Sequence, residues 1–523
     1  MNDEAPRSLG ALIVLLEARG LLRAVIPAAG ETAADNVAVA DVVLDSRLVR
    51  PGSLFAAVSG GRHDGHRFVR EAVAAGAGAV LAERSVEGLS APQLIVASTR
   101  PAVALAAAWR AGFPSHRLGV IGVTGTDGKT TTTFLVRAVL AAAGLPSGLV
   151  STVDVVVGGR SLGNDERTTT PDAPRMQALL AAMVGAGDRF AVVEASSHGL
   201  AQDRVGEVAW DVAVLTNVSE EHLEFHGTRE AYVAAKGRLF AALAAGPVNP
   251  EKGFGKTAAL NADDPAAAAF GILAATAGAR IITYGEAAGA DVRLLGLGED
   301  DRRLQLSVAT PRWEGSLSLR LAGRFNAHNA LAAMAVGEAL QLDPAAIRSG
   351  LEGLSAVPGR MERIDAGQPF VVIVDYAHTA AALAKVLDEL APLAEGAGGD
   401  LIAVFGSGGE RDHVKRPAMG RVAGDRCRLV VLTDEDPRRE DRATILDAIA
   451  RGAEAAGRQR GVDLLLIADR REAIGMVIEQ ARPGDVVLFA GKGHEKTIET
   501  AAGPVAWDEA DEVRAGLAAA GWA

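Results

Sequence analysis

At 523 residues the chain is too long for one hydrophobic core, and length alone points to about two to four domains. Apolar content of 49% with 23% charged residues describes a soluble globular protein rather than a disordered one, and a net charge of −12 argues against a nucleic-acid partner. The single cysteine, Cys427, excludes an intrachain disulfide and a cysteine-held metal cluster, and its place before an apolar strand pattern reads as a buried, inert thiol.

Residues 1 to about 112 form a first unit. Its apolar run Leu12 to Leu16 is too short for a signal or membrane helix, so a cytoplasmic protein without a membrane partner is expected. Val42-Val43-Leu44 is a strand running into the polar turn Asp45-Ser46-Arg47. A second strand, Leu54 to Val58, runs into a loop containing Gly60, Gly61, His63, Asp64, Gly65 and His66. A helical pattern from Arg67 to Ala77 and a strand at Ala79-Val80-Leu81 complete a small α/β unit. It shows no nucleophile–base pair, so holding part of a substrate fits better than catalysis. Ser46 could bind a polar ligand or be an ordinary turn serine.

The central unit, 113–342, opens on an apolar strand, Leu118 to Val123, which breaks into Thr124-Gly125-Thr126-Asp127-Gly128-Lys129-Thr130-Thr131. A helical pattern follows from Thr130 to Gly144. A glycine turn between strand and helix N-terminus aims backbone N–H groups at one spot, where the helix dipole also favours an anion. Lys129 adds a positive charge for phosphate oxygens, and the Thr130 hydroxyl suits a Mg²⁺ ion. Two further strands end in polar residues: Phe190 to Val193 before Glu194-Ala195-Ser196-Ser197-His198, and Val212 to Leu215 before Thr216-Asn217 and Glu220-Glu221-His222. Ligands of open parallel sheets bind outside the carboxyl ends of the strands, so Glu194 and His222 are expected beside Lys129, as Mg²⁺ ligands or as ordinary capping and salt-bridging residues. Short alternating segments from Val292 to Leu321, with the charged turn Asp300-Asp301-Arg302-Arg303, read as appended antiparallel strands. Asn326 and Asn329 then open an alanine-rich helix, suited to capping or to base contacts.

In the last unit, 343–523, strands at Phe370 to Val374, Leu401 to Phe405, Leu429 to Leu432 and Val486 to Ala490 each run into a polar loop. Helical patterns lie between them, which predicts a second, doubly wound Rossmann-like domain with its own half-site at one sheet edge, facing the phosphate loop.

These motifs together resemble the Mur ligase family over almost the whole chain, and most closely its members that add the third amino acid to UDP-N-acetylmuramoyl-L-alanyl-D-glutamate. The resemblance rests on Asp45-Ser46-Arg47, the Gly125 to Thr131 loop, Thr169-Thr170-Pro171 and the run from Glu194 through His198-Gly199-Leu200. It continues through His222-Leu223 with His226-Gly227-Thr228, Ala235-Lys236, Asp375-Tyr376-Ala377-His378, Gly408-Gly409 with Arg411-Asp412, and Gly491-Lys492-Gly493-His494-Glu495. It implies an ATP-dependent ligase forming a carbon–nitrogen bond in peptidoglycan precursor synthesis, and so a part in cell shape and division. It further implies a cytoplasmic monomer with ATP and Mg²⁺. Three domains are implied, 1–112 for the UDP end, 113–342 for ATP and 343–523 for the amino acid, the last closing over the site.

By position, the resemblance gives Thr124 to Thr131 the ATP phosphates, and Asn326, Asn329 and Asp375 the base and ribose. It gives Thr130, Glu194 and His222 the Mg²⁺, and Lys236 a carbamate that helps fix a second ion; without it, Lys236 reads as a helix-surface lysine. Ser46 would hold the UDP end, and Thr169, Thr170, Ser196, Gln202 and Arg204 the muramoyl-dipeptide. Arg411, Glu435, Asp436, Pro437, Arg438, Gly491 and Glu495 would hold the incoming amino acid. Members using meso-diaminopimelate carry Asn where this chain has Asp436. An anion there favours a bare ammonium group, as in lysine or ornithine, whereas Arg438 favours a second carboxylate. Asp127 and Thr168 also depart from the usual pattern without removing a charge that the chemistry needs. The rival readings are a folylpolyglutamate synthetase-like ligase and a nucleotide-binding regulator without catalysis.

Overall fold

The structure, a computed structural model, describes residues 5–28, 34–60, 64–164, 168–219, 221–244, 252, 254–300 and 303–522; Gly61, His63, Glu220, Asp301 and Arg302 lie outside them. The chain parts into two compact units, one of residues 1–295, 308–315 and 328–351, the other of 296–307, 316–327 and 352–523.

The first unit begins with helix α1 (Leu9–Ala18), whose Leu9, Leu12, Ile13 and Leu16 recur at helical spacing and are all buried. Strands β1 (Leu22–Ile26), β2 (Asp41–Val43) and β3 (Ser53–Ala56), helix α2 (Val69–Ala74), strands β4 (Ala79–Ala82) and β5 (Gln93–Val96) and helix α3 (Thr99–Arg110) follow. The sheet runs β1-β5-β4-β3-β2, parallel except for β1, with α1 and α3 packed on one face and α2 on the other. The helix expected from Arg67 is shorter because Asp64 caps a 3-10 turn over Gly65–Phe68 first.

A second sheet follows, from β6 (Gly119–Thr124), α4 (Lys129–Ala142), β7 (Ser147–Val150), β8 (Val155–Val157), β9 (Arg160–Ser161), α5 (Ala173–Gly185), β10 (Phe190–Glu194) and α6 (Ser197–Ala201). It continues with β11 (Val212–Leu215), α7 (Leu223–His226), α8 (Arg229–Ala241), β12 (Thr257–Asn261), α9 (Ala267–Thr276), β13 (Arg280–Gly285) and β14 (Val292–Asp300). The order is β9-β8-β7-β10-β6-β11-β12-β13-β14. β6 lies between β10 and β11, parallel to both and buried throughout, which accounts for its unbroken apolar sequence. Register sets Glu194 opposite Val123 and Leu215 opposite Thr124, so three carboxyl ends open at one level. β15 (Arg303–Ala309) and β16 (Glu314–Leu319) follow β14 as neighbours, and their short connections permit only antiparallel pairing, as the alternating pattern predicts. Helices α10 (Asn326–Ala339) and α11 (Pro344–Gly353) come next.

The second unit carries β17 (Glu362–Ile364), β18 (Val371–Asp375), α12 (Ala380–Gly396), β19 (Leu401–Phe405), α13 (Lys415–Arg426), β20 (Leu429–Leu432), α14 (Arg442–Ala455), β21 (Leu464–Leu466), α15 (Arg470–Gln480) and β22 (Val486–Ala490). The hairpin β23 (Thr497–Thr500) and β24 (Gly503–Ala506) and helix α16 (Glu509–Ala519) end it. Its sheet, β17-β18-β22-β19-β20-β21, is parallel except at the β17 edge and carries an apolar layer on each face. This is the doubly wound domain expected from the four strand-to-polar-loop patterns. No helix among the described residues is long and apolar enough to cross a membrane.

Candidate active site

The loop between β6 and α4 is shaped by two positions that admit only glycine. Gly125 sits at φ +153°, and a Cβ there would meet Thr216 Oγ1 at 1.8 Å; Gly128 sits at φ +77°, and a Cβ would meet Asn329 Oδ1 at 2.2 Å. The end of β11 anchors the loop: Thr126 N donates to Asn217 O at 2.7 Å, Asp127 N to Asn217 Oδ1 at 3.0 Å, and Thr216 Oγ1 to Asp127 O at 2.7 Å. Asp127 thus shapes the loop through its backbone. Lys129 Nζ donates to Gly125 O at 3.1 Å and Thr126 O at 2.7 Å. Thr124 and Thr131 are buried at either end, and Asn329 Oδ1 accepts from Thr132 Oγ1 at 3.3 Å.

Glu194, at the end of β10, is buried beside this loop. Its Oε2 accepts from Thr130 Oγ1 at 3.0 Å, Thr152 N at 2.9 Å and Thr152 Oγ1 at 3.1 Å, while Oε1 has no partner among the described residues. Lys236 is no surface lysine: it is 1% exposed, its Nζ donates to Gly125 O at 2.5 Å and lies 4.3 Å from the centre of the Tyr232 ring, one turn earlier on α8. Burial first, and then the Lys129 charge, hold the Lys236 amine well below the ordinary lysine range. Lys129 and Lys236 donate to the same carbonyl, which two ammonium groups would do only against their mutual repulsion.

His222 occupies a left-handed backbone position (φ 57°), with Nδ1 3.4 Å from Glu224 and Nε2 3.6 Å from Glu221. Its ring meets His198 at 4.7 Å between centres, and burial first, then the neighbouring His222 and His226, lowers His198 to about 4, so it is neutral at pH 7. Thr170 Oγ1 donates to Glu194 O at 2.8 Å and accepts from Ser196 N at 2.9 Å, while Thr169 Oγ1 lies 2.9 Å from Thr152 Oγ1, whose one proton goes to Glu194. Arg204 reaches Thr170 O at 2.8 Å and Gln202 Oε1 at 3.2 Å. Lys129, Thr169, Thr170, Ser196, Arg204, His222 and Lys236 line one cavity of about 270 Å³. Ser46 is not among its walls; it lies after β2, with its hydroxyl 3.4 Å from Glu71.

In the second unit the four polar loops do meet. Gly409 N donates to Asp436 O at 2.8 Å, a Cβ on Gly491 would lie 3.0 Å from Glu435 Oε2, Lys492 Nζ donates to Asp436 Oδ1 at 2.8 Å and Glu495 Oε2 at 2.6 Å, and Tyr376 Oη lies 3.4 Å from Glu495 Oε1. Arg470 fixes their spacing: its Nε and Nη2 pair with Glu509, while Nη1 donates to Asp434 O and Nη2 to Ala490 O at 2.9 Å each. Asp375 accepts from Met361 N and Ala377 N at 2.8 Å, and burial raises its carboxyl while nearby Arg360 opposes the shift. Asn326 Nδ2 donates to Ala322 O at 2.6 Å, closing the turn before α10. Arg411 and Arg438 hold no side-chain partner among the described residues; Arg438 is left-handed (φ 56°), with its N–H on Glu499 O at 2.8 Å and Pro437 buried ahead of it.

Family models match three consecutive segments: Mur ligase family, catalytic domain, over 38–114; Mur ligase middle domain over 123–337; and Mur ligase, glutamate ligase domain, over 359–493. The chain belongs to the Mur ligase family. It is 47% identical over 496 residues to a UDP-N-acetylmuramyl-tripeptide synthetase of Roseiflexus sp. (strain RS-1), covering 93% of this chain and 96% of the relative. It is 41% identical to a UDP-N-acetylmuramoyl-L-alanyl-D-glutamate–2,6-diaminopimelate ligase of Geobacter metallireducens, over 86% of this chain and 88% of the relative. A solved structure of a ligase of that same description matches at TM-score 0.65 and 31% identity, over 98% of this chain and 99% of the other. As a Mur ligase the chain is an ATP-dependent acid–amino-acid ligase.

Two readings of this Mur ligase change with its geometry. Asp436 is already paired within the unit: it is 5% exposed, and its Oδ1 accepts from Lys492 Nζ at 2.8 Å and from Glu499 N at 2.9 Å. Arg360 is not among the candidates from the sequence, yet its guanidinium lies 4.9 Å from the Tyr376 ring centre and its buried Nε has no hydrogen-bond partner among the described residues. The one available signal was its position in Gly359-Arg360-Met361, just before the short strand that pairs with β18.

Proposed function

We propose that this Mur ligase joins the amine of meso-diaminopimelate to the D-glutamyl carboxylate of UDP-N-acetylmuramoyl-L-alanyl-D-glutamate, with ATP converted to ADP and phosphate, as a cytoplasmic step of peptidoglycan precursor synthesis. Segments 1–112, 113–342 and 343–523 would serve the UDP end, ATP and the amino acid. The observation that carries the reading is the single cavity shared by Lys129 and Lys236 with Thr169, Thr170, Ser196 and Arg204. Phosphate-binding and polar substrate-holding groups thus open on one space.

A carboxylate is a poor electrophile. One glutamyl oxygen attacks the γ-phosphorus, ADP departs, and the acyl phosphate forms; the amine then attacks the acyl carbon, loses a proton, and phosphate leaves with the former carboxylate oxygen. Loop N–H groups and Lys129 bind the phosphates and offset the charge on the transferred group. Thr169, Thr170, Ser196 and the Gln202–Arg204 pair would orient the dipeptide, and Ser46 the UDP end. Asn329, whose Oδ1 lies beside Gly128 in the loop, would serve the nucleotide.

The donor set fits Mg²⁺: the Thr130 hydroxyl already touches Glu194, whose Oε1 is unengaged, and both are oxygen donors suited to a hard ion. Thr130, Glu194 and His222 would hold it, and a carbamylated Lys236 would help hold a second ion. Bound there, Mg²⁺ would supply charge neutralisation for the phosphoryl oxygens. Burial favours the uncharged form of the Lys236 amine, which is the form that adds to carbon dioxide, and the carbamate would set an anion beside the Lys129 charge.

With Asp436 paired to Lys492, Arg438 and Arg411, whose side chains have no partner among the described residues, favour an amino acid carrying a second carboxylate over lysine or ornithine. Phosphate release measured with ATP, UDP-muramoyl-dipeptide and a panel of meso-diaminopimelate, lysine and ornithine tests this. Release with meso-diaminopimelate is expected; release only with lysine would reverse the assignment of the amino acid. Release with a folate substrate instead, or with none, would favour the rival readings.

A further inference from the structure

We infer that Arg100 is a positioning residue: it turns the side-chain amide of Gln202 so that its NH₂ group is presented to the UDP-muramoyl-dipeptide. The inference rests on the proposed role of Gln202 and Arg204 in holding that substrate. Arg100 Nη1 and Arg204 Nη2 both donate to Gln202 Oε1, at 3.1 and 3.2 Å. A guanidinium carries donors only, so the atom between two of them is the amide oxygen, whichever way the amide is drawn. The NH₂ group must therefore point away from both, and no described residue accepts from it.

Everything else around this amide is already fixed. Asp203 is held in a left-handed conformation (φ 53°), and its Oδ1 accepts from Arg238 Nη2 at 2.6 Å. Arg238 Nη1 donates to Leu200 O at 2.7 Å, so the turn is braced by α8, the helix that carries Lys236. Arg19 pairs with Glu207 at 3.2 Å on the far side of the turn. Arg204 spends its other arm on Thr170 O, in the cavity wall. With the backbone braced, the free variable is the rotation of the Gln202 amide. Arg100, at the start of α3, settles it from the domain proposed to hold the UDP end of the same substrate. The arrangement places two guanidinium groups on one neutral oxygen, with Asp172 facing Arg204 and Asp203 facing Arg100.

Steady-state kinetics of Arg100→Met and Arg100→Lys, each alone and combined with Gln202→Ala, test the proposal. Arg100→Met is expected to raise the KM for UDP-muramoyl-dipeptide roughly tenfold, as for one charge-assisted hydrogen bond. The KM for ATP and kcat should stay within about twofold, and Arg100→Lys, which keeps a donor, should recover most of the loss. In the Gln202→Ala background, Arg100→Met should add nothing. An unchanged dipeptide KM in Arg100→Met, an equal rise for ATP, or a full added effect on Gln202→Ala would overturn the proposal. A normal dipeptide KM in Gln202→Ala would instead remove the reading of Gln202 beneath it. Should Arg100→Met not fold, Gln202→Glu gives the second measurement. Its carboxylate keeps both guanidinium partners but has no NH₂ donor, so the dipeptide KM rises if the proposal holds and stays unchanged if it fails.

Discussion

Replacing Lys236 by methionine separates catalysis from stability in this protein. The buried Lys236 amine has three possible donors when charged and one recorded acceptor, Gly125 O at 2.5 Å. Removing it forfeits about 1 kcal/mol of net hydrogen bonding, and it also removes the desolvation of an amine that is 1% exposed. Methionine fills a similar volume, so the two effects oppose, and folding stability should change by no more than about 1 kcal/mol. Activity should respond differently. Loss of one preorganised charge at a phosphoryl-transfer site costs roughly 3–4 kcal/mol, or about 10²- to 10³-fold in kcat. Coupled phosphate-release kinetics alongside urea unfolding read both quantities. Short-chain carboxylates added to Lys236→Ala, which leaves space, should restore part of the rate. A Lys236→Met enzyme keeping more than about a tenth of its kcat would refute the reasoning, as would loss of activity accompanied by loss of cooperative unfolding.

Other consequences are equally open to measurement. Gly128→Ala would place a Cβ 2.2 Å from Asn329 Oδ1 at φ +77°, so the KM for ATP should rise at least about tenfold while the KM for dipeptide moves little. Glu440 is held down to about 2, chiefly by its hydrogen bonds to Arg416, against 4.5 for an ordinary glutamate. Its depressed carboxyl stabilises the folded state above pH 4.5, and that contribution fades as pH falls toward 2. The urea midpoints of wild type and Glu440→Gln should therefore converge on acidification; a constant difference would contradict the pairing. Burial pushes the Cys427 thiol up to about 12, so iodoacetamide at pH 8 should label it only as urea unfolds the chain.

Much of this fold could be read from local sequence, because the decisive signals were local. Strands that are buried on both faces spell unbroken apolar runs, and β6, β10, β11, β19, β20 and β22 were each recognisable beside their polar loops. The phosphate loop was legible because Gly125 and Gly128 meet backbone demands that few other residues satisfy. In the first domain, β1 and β5 carry weaker signals, since Leu22–Ile26 is half exposed and β5 has only the three apolar residues Leu94 to Val96 after Gln93. Lys236 could not be told from a surface lysine, because the alanines around it on α8 carry no clear apolar stripe. Asp436 is a different case: its Oδ1 accepts from Lys492, 56 residues away, and from a backbone N–H on β23, neither of which the local sequence announces. The Arg100–Gln202 bond spans 102 residues and has no local signature at all. Long-range electrostatic pairing is where sequence reading gives out.

The claim on which the account depends is that the glutamyl carboxylate is activated by the γ-phosphate of ATP. UDP-muramoyl-dipeptide labelled with oxygen-18 in that carboxylate, incubated with ATP, Mg²⁺ and meso-diaminopimelate, tests it directly. The account predicts one labelled oxygen in each released phosphate, in amounts equal to the amide product. Unlabelled phosphate at full turnover would contradict it.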